Sequence, residues 1–156
     1  MNWTDIVADR SLRELPYKIE TNHLGQIVMS PASRRHSLFQ ARIIGLLFGM
    51  KISGEVYSEC PIETTDGVKV ADVAWASDAV ADVQNDDLTF TRAPELCIEV
   101  LSPSNSKLEI DRKMTLYFEK GAEEVWICLE SGKMEFHTRS GGIALSRMFT
   151  GFSPQV

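Results

Sequence analysis

The sequence predicts an α/β fold, a mixed central β-sheet flanked by helices. Three observations point there: strand-like and helix-like segments interleave along the chain, no internal repeat divides it, and the strand-like runs have the period and turn chemistry of a sheet rather than of a bundle. With 156 residues, 44% of them hydrophobic and 24% charged, the chain is expected to form a single domain spanning 1–156. A domain of that size buries about 70% of the surface its unfolded form exposes. The core is expected over about 17–150, preceded by a short N-terminal helix at 3–15.

That opening stretch is amphipathic and stops before Pro16. Strand-like pieces at 17–21 and 26–30 follow, joined by Asn22-His23-Leu24-Gly25, in which Gly25 supplies the positive φ of a tight turn. Ser33 reads as the N-cap of a helix running to about Met50. Apolar residues spread around nearly its whole circumference, interrupted only by Gln40 and the Arg35/Arg42 edge. A helix apolar on all sides is buried on all sides. The 33–50 helix is therefore expected to pack on the sheet with one face and on a second subunit with the other, giving a homodimer.

Residues 56–63 and 69–75 flank Thr64-Thr65-Asp66-Gly67, a turn sequence, and read as a hairpin. Residues 77–91 are polar and Asp-rich, with room for one short helix. Pro94 opens a strand at 95–101. Ser106 followed by Glu109 has capping-box spacing for a helix from about Lys107 to Lys120, stopped at Gly121. Residues 123–129 and 133–138 read as a second hairpin around Ser131-Gly132, and a less regular tail closes the chain.

The net charge of −6 weighs against a protein whose main task is gripping nucleic acid, since phosphate contacts need clustered cations. It does not exclude a nuclease, because acidic metal ligands contribute to the sum. Cys60, Cys97 and Cys128 are far apart and form no Cys-x-x-Cys pair, so they read as small buried hydrophobes and not as a zinc or redox site. No apolar run reaches the roughly 18 residues of a membrane span, and the N-terminus lacks the pattern of a signal peptide, so a cytoplasmic, non-membrane protein is expected.

Two acids break the apolar pattern: Asp72 in Val-Ala-Asp-Val-Ala-Trp and Glu99 in Leu-Cys-Ile-Glu-Val-Leu. An unpaired carboxylate in a core costs several kcal/mol. Two in segments that read as central strands need a partner, and a divalent cation is the simplest one for converging oxygens. On the following helix, Ile110, Met114, Tyr117 and Phe118 form the stripe expected to face the sheet, and Lys113 falls on its edge beside Tyr117. Singly, each acid could be an edge residue and Lys113 a snorkelling surface lysine. Together they complete the parts of metal-assisted phosphodiester hydrolysis. Removing Asp72 is expected to stabilise the metal-free protein by relieving repulsion with Glu99.

The run Ala71-Asp72-Val73-Ala74-Trp75, then Pro94 through Ser104 around Glu99, then Lys113, Tyr117, Gly121 and Glu124-Val125-Trp126, resembles the Uma family of restriction-endonuclease-like bacterial proteins, within the PD-(D/E)XK nuclease superfamily. Glu20, Gly25, Met29-Ser30-Pro31 and His36 extend the resemblance upstream. It implies a restriction-endonuclease-like fold whose metal lies where two strands diverge. Asp72 matches the motif aspartate and Glu99 the second acid. Leu101 stands where the superfamily lysine would lie, and Lys113 matches the family's lysine on the next helix. The implied function is a Mg²⁺-dependent endonuclease hydrolysing DNA, with Mn²⁺ a possible substitute and the Val100 carbonyl a further metal ligand. Lys113 would orient the attacking water. Glu20, His36 and Tyr117 are accessory candidates. The alternative is a binding or assembly module that keeps the nuclease fold with little or no cleavage.

Other features read as structural. Arg34-Arg35-His36 opens a helix at its positive end, where a solvated cluster is the simpler reading and a phosphate contact the alternative. Glu63, Asp66, Asp78, Asp82, Asp86 and Asp87 read as solvated loop acids, with no calcium-loop spacing. Trp3, Trp75 and Trp126 read as core or interface residues.

Overall fold

The computed structural model, which describes residues 1–50, 52–83 and 88–156, builds two sheets with the helices around them. The chain opens with α1 (Trp3–Ala8) and α2 (Arg10–Arg13), then the antiparallel pair β1 (Tyr17–Thr21) and β2 (Ile27–Pro31), which form a separate two-stranded sheet. Helix α3 (Arg34–Gly49) leads into the long hairpin β3 (Glu55–Thr64) and β4 (Gly67–Ala76). After the short α4 (Asp78–Ala81) come β5 (Leu96–Val100), α5 (Lys107–Glu119), β6 (Glu124–Cys128), β7 (Met134–Thr138) and β8 (Gly141–Ile143). The six-stranded sheet runs β3-β4-β5-β6-β7-β8, and only the β5–β6 pair within it is parallel. A parallel pair needs a crossover, and α5 provides it.

Both faces of this sheet are covered, which explains why β5 and β6 are buried at every position. Phe39, Ile43 and Leu47 of α3 pack with Val73, Ile98, Trp126 and the tail residues Phe149 and Phe152 on one face. Ile110 and Tyr117 of α5 pack with Cys97, Val125 and Ile127 on the other. All three cysteines are free and buried, as the sequence indicates. Trp126 is a core residue, its indole N–H donating to the buried Glu124. Glu124 also accepts from Ser146 Oγ and from the Arg147 and Met148 amides, which clamps the tail to β6.

The small sheet docks on the tip of the β3–β4 hairpin. Gly67 has φ +80°, and a Cβ there would lie 2.6 Å from the Thr21 carbonyl oxygen, so the contact requires glycine. Thr21 Oγ1 accepts from the Val68 amide, and Lys69 Nζ donates to the Thr21 carbonyl. This docking brings Lys18 and Glu20 to the main sheet.

Three expectations change. The helix expected at 3–15 is two short helices, because the Asp9 carboxylate accepts from the Ser11 amide and starts a new one. Helix α3 buries one face on the sheet and leaves the other uncovered within one chain, with Phe48 62% exposed and Leu38 and Leu46 also exposed. Only half of the capping box at α5 forms, since Ser106 accepts from the Glu109 amide while Asn105 Nδ2 donates to the Glu109 carboxylate. Asp66 is buried rather than solvated, bonded to His23, Arg112 and Lys69. Asp86 and Asp87 lie outside the described residues. Among those described, no helix is long and apolar enough to cross a membrane.

Candidate active site

Strand pairing places the two acids. Strands β4 and β5 are registered at Trp75–Leu96, Ala74–Cys97 and Val73–Ile98, and the next step of the same register is Asp72 opposite Glu99. The ladder ends before that step. The acids therefore sit at the point where the strands part, and the Asp72 side chain enters the fork, with Oδ2 accepting the Val100 amide at 2.7 Å. On the other side, the β3–β4 register is interrupted at Glu59, which faces Asp72 with φ +50°. Among the described residues no other non-glycine residue has positive φ. Such a backbone costs about 1 kcal/mol or more and persists only where its surroundings impose it. Gln40 of α3 imposes it here: its amide nitrogen donates to the Asp72 carbonyl at 2.6 Å and to Glu59 Oε1 at 2.8 Å, replacing a ladder bond.

Around this fork the structure gathers every side chain singled out from the sequence. Asp72 and Glu99 are 1% and 3% exposed, and Lys113 is 5% exposed. Lys113 Nζ lies 3.0 Å from Glu99 Oε2 and 2.8 Å from Glu20 Oε1. Tyr117 donates its hydroxyl to Glu99 Oε1 at 2.6 Å. Glu20 Oε1 also accepts the Val70 amide at 2.7 Å. His36 Nε2 lies 3.1 Å from Asp72 Oδ2, so the last member of the Arg34-Arg35-His36 run belongs to this cluster. Val100 contributes its amide to Asp72.

Lys18 was not visible as a site residue from sequence. Its ammonium lies 2.6 Å from Asp72 Oδ1 and 3.5 Å from Glu99 Oε2, joining the two acids. Strand period 2 was the available signal, because Lys18 and Glu20 share a face of β1. Gln40 was also missed, although a lone amide on an otherwise apolar helix marks a polar partner inside.

Charge settles accordingly. Burial opposes ionisation of Asp72, but Lys18 and His36 outweigh it and hold the carboxyl well below the usual carboxylate range. Burial likewise opposes Glu20, and Lys113 with Lys18 lowers it. Glu99 is pushed up by burial, with Lys113 and Lys18 offsetting only part of that. The hydrogen bond to Asp72 raises the His36 imidazole, against burial. Burial and then the Glu99 charge push the Tyr117 phenol well above its ordinary value. Asp72 accepts from the Val100 amide and pairs with Lys18 and His36, so its removal would leave the amide and His36 without this acceptor and Lys18 with Glu99 alone, a cost set against the stabilisation expected from relieving acid–acid repulsion.

These groups line a cleft of about 420 Å³ between the small sheet, the start of α3 and the 102–109 segment. Among the described residues, no group of three or more His, Cys, Asp or Glu side chains is arranged to hold a metal ion. Two acids sharing a cation position suit Mg²⁺ better than calcium or zinc, since Mg²⁺ takes one or two carboxylates and completes its shell with water and substrate phosphate. The donor set fits: Asp72 Oδ1 and Glu99 Oε2 already share one cationic group, the Lys18 ammonium.

A family model for Uma2, described as a putative restriction endonuclease, matches residues 10–152. The chain belongs to the Uma2 family. Among solved structures, the Uma2 chain is similar to a crystal structure of a putative nuclease belonging to DUF820 from Anabaena variabilis ATCC 29413. The two align with a TM-score of 0.70 at 14% identity, over 88% of this chain and 79% of the other, a likeness of fold. No curated protein matches the chain. The α/β architecture expected from the sequence is thus a nuclease-type fold of this family.

Proposed function

We propose that this Uma2 protein is a metal-dependent endonuclease that hydrolyses DNA phosphodiester bonds. The observation that carries this reading is the strand fork, where Asp72 and Glu99 stand in adjacent register with facing oxygens that share one cation position. On this reading Asp72 and Glu99 would hold Mg²⁺, for which Mn²⁺ would substitute. When bound, the ion supplies Lewis-acid polarisation of the phosphate and a lowered pKa for the attacking water. The protein's own groups do the rest. Tyr117 holds Glu99 Oε1, and His36 and the Val100 amide hold Asp72 Oδ2, while Lys18 contacts the remaining oxygens, Asp72 Oδ1 and Glu99 Oε2, the latter shared with Lys113. Lys113 directs two of its three donors to Glu20 and Glu99, and the third orients the water and stabilises charge developing on the phosphate.

The exposed side of α3 supports a second part of the proposal, a homodimer through Leu38, Leu46 and Phe48. The alternative function, a nuclease-fold binding module, draws support from the acidity of the cleft, which Glu59 and Glu109 also line. Plasmid cleavage separates the two. Nicking or linearisation is expected with Mg²⁺ or Mn²⁺, abolished by EDTA and reduced at least 100-fold in Asp72→Ala and Lys113→Ala, the order of losing one transition-state contact. Cleavage that persists in both variants, or none by the wild type, contradicts the enzyme assignment.

A further inference from the structure

The most informative group in the cleft outside the motif is Lys18. Its ammonium contacts Asp72 Oδ1 and Glu99 Oε2, one oxygen from each acid, while the other oxygens are held by His36, the Val100 amide and Tyr117. Glu99 Oε2 also takes the Lys113 ammonium at 3.0 Å, whereas among the described residues Lys18 is the cationic group on Asp72 Oδ1 and the one that joins the two acids. The two lysines differ in anchorage. Lys113 is held by Glu20 as well as Glu99, whereas among the described residues Lys18 pairs only with the two fork acids. Lys18 sits on the small sheet, outside the main ladder, and its side chain is 15% exposed along the cleft wall. Its four-carbon stem lets the ammonium move without moving the strand.

We infer that Lys18 is the site's resident cation, which a divalent metal must displace from Asp72 and Glu99, and that the displaced ammonium then binds a phosphate of the substrate. A divalent ion held by Asp72 and Glu99 would need the place on Asp72 Oδ1 that the Lys18 ammonium fills at 2.6 Å, so metal binding and that contact would compete. Of the other acids lining the cleft, Glu20 is held by Lys113 and the Val70 amide, Glu59 by Gln40 and Glu109 by Asn105, which leaves the substrate phosphate for the displaced ammonium. The inference rests on the metal reading above and adds a substrate-binding residue with a competitor's role.

Calorimetric titration of Mn²⁺ into the full chain, without DNA, tests the first half. Lys18→Met is expected to bind Mn²⁺ at least 10-fold more tightly than wild type, while Lys18→Arg and the surface variant Lys107→Met stay near wild type. Binding of a fluorescent DNA duplex with Ca²⁺ in place of Mg²⁺ tests the second: Lys18→Met is expected to weaken it several-fold. Unchanged or weaker Mn²⁺ binding by a folded Lys18→Met overturns the competitor role, and unchanged duplex binding overturns the phosphate role. If wild type and variant both take up no Mn²⁺, the metal reading itself fails, a separate result. Should Lys18→Met not fold, the wild-type protein still decides: Mg²⁺ is expected to shift the Lys18 ammonium NMR resonance, and no shift at saturation overturns the exchange.

Discussion

Lys113 Nζ lies 2.8 Å from Glu20 Oε1, a buried pair that ties α5 to the small β1–β2 sheet across the cleft. The same ammonium serves Glu99, so one side chain joins three elements of the fold and stands at the fork where the chemistry is placed.

Replacing Lys113 by Met leaves two buried acids short of a cation. Removing one partner of a buried pair costs about 3–5 kcal/mol. Urea unfolding of Lys113→Met is expected to show a loss of that order, and Glu20→Gln in the same background to recover part of it. An unchanged midpoint would mean that the pair contributes nothing.

Tyr117→Phe removes only a hydroxyl, yet that hydroxyl fixes Glu99. Hydrogen bonds to charged groups contribute about 1.5–3 kcal/mol, and groups that orient metal ligands typically carry a 10–100-fold effect on affinity. Weaker Mn²⁺ binding of that size is expected by calorimetry, with the fold retained by circular dichroism. Affinity equal to wild type would show that Glu99 needs no orienting partner.

Asp66 gives a pH test well away from the proposed metal ligands. Burial opposes its ionisation, but hydrogen bonds from His23 and Arg112 and the Lys69 charge hold its carboxyl well below the usual carboxylate range. A depressed folded-state pKa stabilises above the unfolded value, about 3.9, and that contribution is lost as pH falls through the folded one. The Tm difference between wild type and Asp66→Asn is therefore expected to be widest near neutral pH and to shrink below about pH 4. A difference that grows on acidification would reverse the sign.

Phe48 projects from α3 with most of its surface exposed. Phe48→Glu is expected to change unfolding stability by no more than about 0.5 kcal/mol, as for ordinary surface positions. Sedimentation is expected to shift from dimer to monomer. A wild-type protein that stays monomeric at high concentration would remove the subunit contact.

How far the sequence foretold this molecule depended on the range of the signal. The β3–β4 and β6–β7 hairpins and the caps of α3 and α5 were legible because turn residues and caps act over a few positions. Asp72 and Glu99 stood out because a charge inside an apolar run is locally anomalous, and Lys113 because it lies at the edge of the apolar stripe of α5 and matches the family's lysine. Lys18 was not, since its partner lies 54 positions away and nothing near it shows that β1 crosses over the fork. Asp66 misled for the same reason: in sequence it is a turn acid, and its partners His23, Lys69 and Arg112 come from the β1–β2 loop, β4 and α5. The all-round apolar character of α3 was real as composition, but one chain covers only its Phe39–Ile43–Leu47 face.

The most direct test is a crystal soaked in Mn²⁺ with anomalous scattering recorded at the manganese edge. A peak between Asp72 and Glu99, with the Lys18 ammonium moved off both carboxylates, is the expected result. A peak elsewhere on the surface, or Lys18 still bridging the two acids at millimolar Mn²⁺, would contradict the assignment of this fork as the metal centre.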